Sequence, residues 1–236
     1  PGTATMAGGS EESTAFAIVA QPTANSTFPA APAIPTFNTG TAITLGTLSA
    51  DIAAAVAAQP AGTHFKLIAG TYTNWSNVRP KTGNHFQSPG SGVAVLEGTG
   101  KVWAFRAIDA TGSSDNVTIS CTGSGSIKIQ NYGAGTTRGE YGAIQAQPTD
   151  TSVGSTEFTY GHAQNWFVHG VTLEKNGAQG ILCSDYFTLY NVTAYGHNVS
   201  CVGGDRGAGG MLYGSTLHAN GLNPATGAYS NGAGSK

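Results

Sequence analysis

Acidic residues are scarce in this chain, twelve in 236 with two of them (Glu11 and Glu12) near the N-terminus, so a place where acids gather beside a base is informative. Asp185, Asp205 and Arg206 form the best such group. Glycoside hydrolysis uses two carboxylates flanking the scissile bond. A polysaccharide lyase uses a base, often Arg or Lys, with acids that hold Ca²⁺ against a uronate. Arg206 lies in VGGDRGAGG, a Gly-rich loop suited to the rim of a groove. Glu174 with His218 is a second candidate pair. A solvated turn pair is nevertheless the simpler account of Asp185 and Asp205. The isolated histidines His64 and His85 are expected at the surface or half-buried, and His162 in a loop. No His-x-Glu-x-x-His type of spacing occurs, so no metal site is expected, and Ca²⁺ enters only if the chain is a lyase.

The elements that must position these residues come from a repeat. VHGVTLEKNG from Val168, LYNVTAYGHN from Leu189 and LYGSTLHANG from Leu212 overlay, with starts 21 and 23 residues apart. One strand-like run per short period indicates a solenoid whose units stack on one another. Alternation along each run places Val168, Leu189 and Leu212 inward, together with the third and fifth positions after each. The outward columns are then His169, Tyr190, Tyr213; Thr172, Thr193, Thr216; and Glu174, Tyr195, His218. Asp185 follows Val168 by 17 residues and Asp205 follows Leu189 by 16, so the two acids are expected on adjacent units. Asn176, His197 and Asn220 share a bend, where stacked polar side chains satisfy backbone groups of neighbouring units.

Aromatic faces beside hydroxyl donors stack on sugar rings and hydrogen-bond sugar hydroxyls, so these columns are a candidate glycan-binding strip. Strands also enrich Tyr and Thr for their own sake, and aromatic ladders stabilise a stack without any ligand. Docking against another subunit is a third use of the same surface.

Residues 1–46 read as an extended arm or linker rich in Pro, Ala, Thr and Ser, with AFAIVA as one strand. Residues 47–236 read as a single all-β domain. TLSADIAAAVAAQPAG is expected to form a helix of roughly ten residues capped by Ser49. Short β-branched runs bounded by Gly or Asn follow, among them HFKLIAGTY, GVAVLEG, NVTISC and SIKIQNY. PAGTHFKLIAGTYTNWSNVRPKTGNHFQSPGSGVAVLEG, preceded by a small Ala-rich helix, resembles the entry to right-handed parallel β-helix proteins of the pectate-lyase-like superfamily. NWFVHGVTLEKNGAQGILCSDYFTLYNVTAYGHN continues the likeness, which covers about Leu48 to Gly221. The resemblance implies a short helix capping the first turn of the solenoid. It says little about activity, since the fold carries lyases, hydrolases, epimerases, tailspikes and inert fibres. The paired D-D, G-H-G and R-I-K elements of polygalacturonases are missing, as is the D-P-H of the epimerases.

Composition narrows the use of such a fold. Charged residues make up 9% and the formal charge is −2, which leaves no basic stripe for nucleic acid. No apolar run reaches the ~20 residues that span a bilayer. With 35 Gly, 29 Thr and 19 Ser the surface is dressed in hydroxyls, as on a protein of the cell exterior, cell surface or virion. Three cysteines make no disulfide framework. Cys183 and Cys201 either meet on neighbouring units or pack as small hydrophobes. The segment after the last unit, GLNPATGAYSNGAGSK, supplies no cap, so further chain or self-association is expected at that end. The expected function is a structural or glycan-binding surface module (fibre, adhesin or tailspike-like). The alternative is a polysaccharide lyase or glycoside hydrolase acting through Asp185, Asp205 and Arg206.

Overall fold

The computed structural model describes residues 3–4, 16–17, 43–46, 51–109, 112–133, 142–147, 163–177, 179–197, 200–203 and 209–218. The chain divides into two compact units, Pro1–Ala33 and Ile34–Lys236. In the first unit Thr3–Ala4 pairs antiparallel with Phe16–Ala17, which lies in the AFAIVA run.

The second unit is built on three parallel sheets. Sheet one runs, neighbour by neighbour, through Ile43–Leu45, His64–Leu67, His85–Gln87, Thr118–Ser120, Phe167–His169, Phe187–Tyr190 and Gly210–Tyr213. Sheet two runs through Gly70–Tyr72, Ser91–Glu97, Ser124–Gln130, Thr172–Glu174, Thr193–Tyr195 and Thr216–His218. Sheet three joins Phe105–Arg106, Gly142–Gln145, Gln179–Leu182 and Ser200–Gly203. From Ser91–Glu97 onward the chain visits sheet two, sheet three and sheet one in that order each time. The result is an all-β architecture with almost no helix, compatible with a β-solenoid.

The register expected from the repeat is the one found. Val168 lies opposite Leu189 and Leu189 opposite Leu212, while Thr172, Thr193 and Thr216 form one row. Val168, Val171, Leu173, Leu189, Val192 and Ala194 are all buried. The same inward column continues upstream through Ile119, Phe86 and Phe65. Phe86 stacks on Phe65 and meets Phe105 and Trp75 edge-on, which forms an aromatic core in the early circuits. Leu212 departs from its column: it is 48% exposed where Leu189 is 1%, because no further strand is paired beyond it among the described residues.

The helix is shorter than the sequence implies, Ile52–Ala57, and its N-cap is Asp51 rather than Ser49. The Asp51 carboxylate accepts from the Ala54 amide at 2.9 Å, which satisfies one of the free donors of the first turn. Ile52 and Val56, one turn apart, are buried. No helix among the described residues is long and apolar enough to cross a membrane.

The three cysteines are thiols, none joined in a disulfide. The register sets Ile181 opposite Val202, which brings Cys201 beside Gly180 and not beside Cys183. Both Cys183 and Cys201 are buried, and Cys201 Sγ donates to the Ala194 carbonyl at 2.9 Å. They act as small hydrophobes.

Candidate functional site

The outward columns run side by side on sheets one and two. On sheet one, His169 lies opposite Tyr190 and Tyr190 opposite Tyr213. His169 and Tyr190 stack with centroids 5.0 Å apart and planes 25° apart, and Tyr213 turns its edge to Tyr190 at 64°. These three side chains are half-buried. Burial holds the His169 imidazole below its usual pKa, so at neutral pH it is uncharged.

On sheet two the row Glu97, Gln130, Glu174, Tyr195 and His218 is in register. Expected as an open surface residue, Glu174 is only 8% exposed. Its carboxylate accepts from Lys128 Nζ at 2.5 Å and Lys175 Nζ at 2.9 Å, and bonds the Tyr195 hydroxyl. Burial alone would raise its pKa, but these hydrogen bonds outweigh it and hold the carboxyl at about 2. Such a group stays ionised and does not donate a proton as a general acid. Tyr195 and His218 stack at 5.2 Å with planes 10° apart, which uses their faces on each other. Glu97 is likewise engaged, by Gln130, Asn131 and Thr99.

No family model, curated protein or solved structure matches the chain. The chemistry therefore follows from the geometry alone.

Of the acid–base group, only Asp185 falls within the described residues. Asp205 and Arg206 lie outside them, as do His162 and Asn220. Asp185 is half-buried, and its backbone bridges Gln164 of the previous circuit. Glu174 and His218 share a row but are separated by Tyr195, so the second pair does not form a contact. Among the described residues no three His, Cys, Asp or Glu side chains gather so as to hold a metal ion.

One contact was not legible from spacing. His85 Nε2 and Ser120 Oγ stand 2.7 Å apart, 35 residues distant in sequence. His85, expected near the surface, is buried and stacks on His64 at 4.5 Å. Ser120 is fully buried. Burial, followed by the neighbouring His64, drives the His85 pKa down to about 3. A base that weak beside an inaccessible hydroxyl does not activate a nucleophile. The pair is a structural hydrogen bond.

The bend column does what its sequence position implies. Asn176, fully buried, accepts from the Tyr132 amide through Oδ1 at 3.0 Å and donates to the Ile129 carbonyl through Nδ2 at 3.2 Å. His197 replaces Asn in the next circuit and takes over half of this role, its Nδ1 accepting from the Asn176 amide at 3.2 Å. Burial lowers the His197 pKa to about 4. Protonation at Nδ1 would also set a donor against a donor.

A pH dependence follows. The folded chain keeps His197 and His85 neutral, while the unfolded chain protonates both near pH ~6.5. Stability is therefore full above that pH and falls as protons bind the unfolded state, down to about 4 for His197 and about 3 for His85. Between about pH 6.5 and 4.5, before Glu174 contributes, the melting temperature should drop. Replacing His197 with Asn should remove part of that slope. A melting temperature that is flat across this window, or an unchanged slope in the variant, would contradict the assignment.

Proposed function

We propose that this protein is a right-handed parallel β-helix of the pectate-lyase-like kind, with Ile52–Ala57 capping its first turn. In this reading it is an extracellular, cell-surface or virion protein acting as a structural module that binds glycan. The observation that carries the reading is the in-register column His169–Tyr190–Tyr213 beside the row Thr172–Thr193–Thr216. Rigid parallel strands hold rings and hydroxyls at a repeat of roughly 4.8 Å. That pre-ordering lowers the entropy lost when a polymer of repeating hydroxylated units binds. Uncharged partners suit the strip, because Glu174 is neutralised within its own ion pairs.

The experiment is incubation with neutral and uronate-rich polysaccharides, with and without Ca²⁺, followed by chain-length analysis and co-elution. Intact polymer that co-elutes is the expected result. The double substitution Tyr190→Ala/Tyr213→Ala should weaken retention by about tenfold or more, the scale for losing central aromatic anchors. Shortened products would instead favour a lyase or hydrolase, and would make Asp185, Asp205 and Arg206 the first residues to substitute. Intact polymer without association would leave a fibre or assembly protein.

A further inference from the structure

The corner that leads from sheet three into sheet one is built on left-handed backbone in successive circuits. Gly83 has φ 76°, Asn116 φ 55°, Asn165 φ 57° and Tyr186 φ 52°. Gly and Asn tolerate this region; a bulky aromatic does so only at a cost in strain. The corner is fixed from both sides, since the Asn165 amide donates to Asp185 O at 2.8 Å and the Tyr186 amide to Gly209 O at 2.9 Å. The strain therefore cannot relax by shifting the turn. Strained residues that persist in a well-determined frame concentrate at sites of function.

Tyr186 is 58% exposed, the highest value among the large hydrophobic residues described. It thus receives little packing in return for its backbone conformation. Two residues on, Thr188 is half-buried and follows the alternation outward; two further, Tyr190 begins the proposed strip. Leu189 between them is inward and buried. Tyr186 occupies the turn immediately before the strand Phe187–Tyr190, whose outward residues are Thr188 and Tyr190. In the next circuit Gly209 adjoins Tyr186 and has no side chain to cover it, while Met211 stands opposite Thr188 and Tyr213 opposite Tyr190. Opposite Phe187, a Cβ at Gly210 would stand 2.2 Å from the Phe187 ring, which would have to shift. Tyr190 already stacks on His169, as Tyr195 does on His218 on sheet two, where Glu174 is bound internally, so Tyr186 is the exposed ring of this region.

We infer that the ligand-binding row of this protein crosses sheet one at Phe187–Tyr190, with Tyr186 as its aromatic anchor, and that its ligand is an uncharged sugar ring stacked on that side chain. This rests on the glycan-binding reading above and selects the face, the anchor residue and the ligand class within it. Tyr186→Asn places in the corner the residue that Asn116 and Asn165 already supply, and Tyr186→Phe keeps the ring without its hydroxyl.

The test measures retention on the neutral polysaccharide that binds the unaltered chain, together with the melting temperature. Tyr186→Asn should weaken binding about tenfold or more while raising the melting temperature by roughly 2–4 °C, the shift for relieving this much strain in a chain of this size. Tyr186→Phe should bind within about threefold of the original, since stacking carries the contact. Tyr195→Ala should weaken binding less than Tyr186→Asn does. Binding lost in Tyr195→Ala but kept in Tyr186→Asn would overturn the inference and leave the glycan reading standing. Binding to uronate-rich but to no neutral polysaccharide would overturn the ligand class inferred here, and failure to bind either kind would overturn both readings. A Tyr186→Asn variant that loses binding and also melts lower would overturn the strain argument, marking Tyr186 as a structural residue.

Discussion

Replacing Asn176 with Ala should destabilise the protein by about 2–5 kcal/mol, as read by chemical denaturation. The side chain is fully buried and ties two backbone groups of the preceding circuit, the Tyr132 amide and the Ile129 carbonyl. Losing it leaves the Tyr132 amide without this partner, at roughly 1–3 kcal/mol. It also removes one bond from the Ile129 carbonyl, which lies in the sheet-two ladder, at roughly 0.5–1.5 kcal/mol, besides the packing of a buried side chain. The loss would spread along the column, because Tyr132 is held from its other end as well, its hydroxyl donating to the Trp75 carbonyl at 2.7 Å. Leu at position 176 should cost as much as Ala, since volume is not what is missing. A loss below about 0.5 kcal/mol in both variants would show that water can replace the amide.

Gly125→Ala should be more damaging still. Gly125 pairs with Gly92 in sheet two, and a Cβ there would stand 1.7 Å from the Pro89 carbonyl oxygen and 2.7 Å from its carbon. Backbone cannot rotate away as a side-chain tip would. Moving Pro89 disturbs Ser88, whose amide donates to Ser120 O at 2.9 Å and whose hydroxyl accepts from the Thr122 amide at 3.0 Å. The expected cost exceeds about 3 kcal/mol, in the range of severe overpacking. Gly100→Ala is the control. It has φ +76° and open space around the position, so it should cost only the conformational penalty of about 1–2 kcal/mol. Equal losses at the two sites would refute the close-approach argument.

Both positions show how far sequence reading reached. Asn176 was legible because His197 shares its column at a spacing of one unit, and polar side chains at a repeated bend have few physical uses besides bonding backbone. Gly125 was not legible. Among 35 glycines nothing in local sequence distinguishes one that fits against Pro89, 36 residues away, from one that merely permits a turn. The same limit applies to His85. Its type and spacing suggested a surface residue, yet Ser120 and His64 from neighbouring circuits bury it. The Tyr186 corner was missed for a different reason. The recurrence of Gly and Asn there follows variable connections, so no fixed spacing announces it.

Strand register is written into the repeat. Its 21- and 23-residue spacings put like residues opposite one another, and strand alternation then assigns each to the inside or the outside. Tertiary structure alone decided which outward residues remain reachable. Glu174 closes on Lys128, 46 positions away, whereas Tyr186 stands open beside Gly209 of the next circuit. Exposure is set by what the adjoining circuits place alongside a residue, and that depends on contacts between distant parts of the chain.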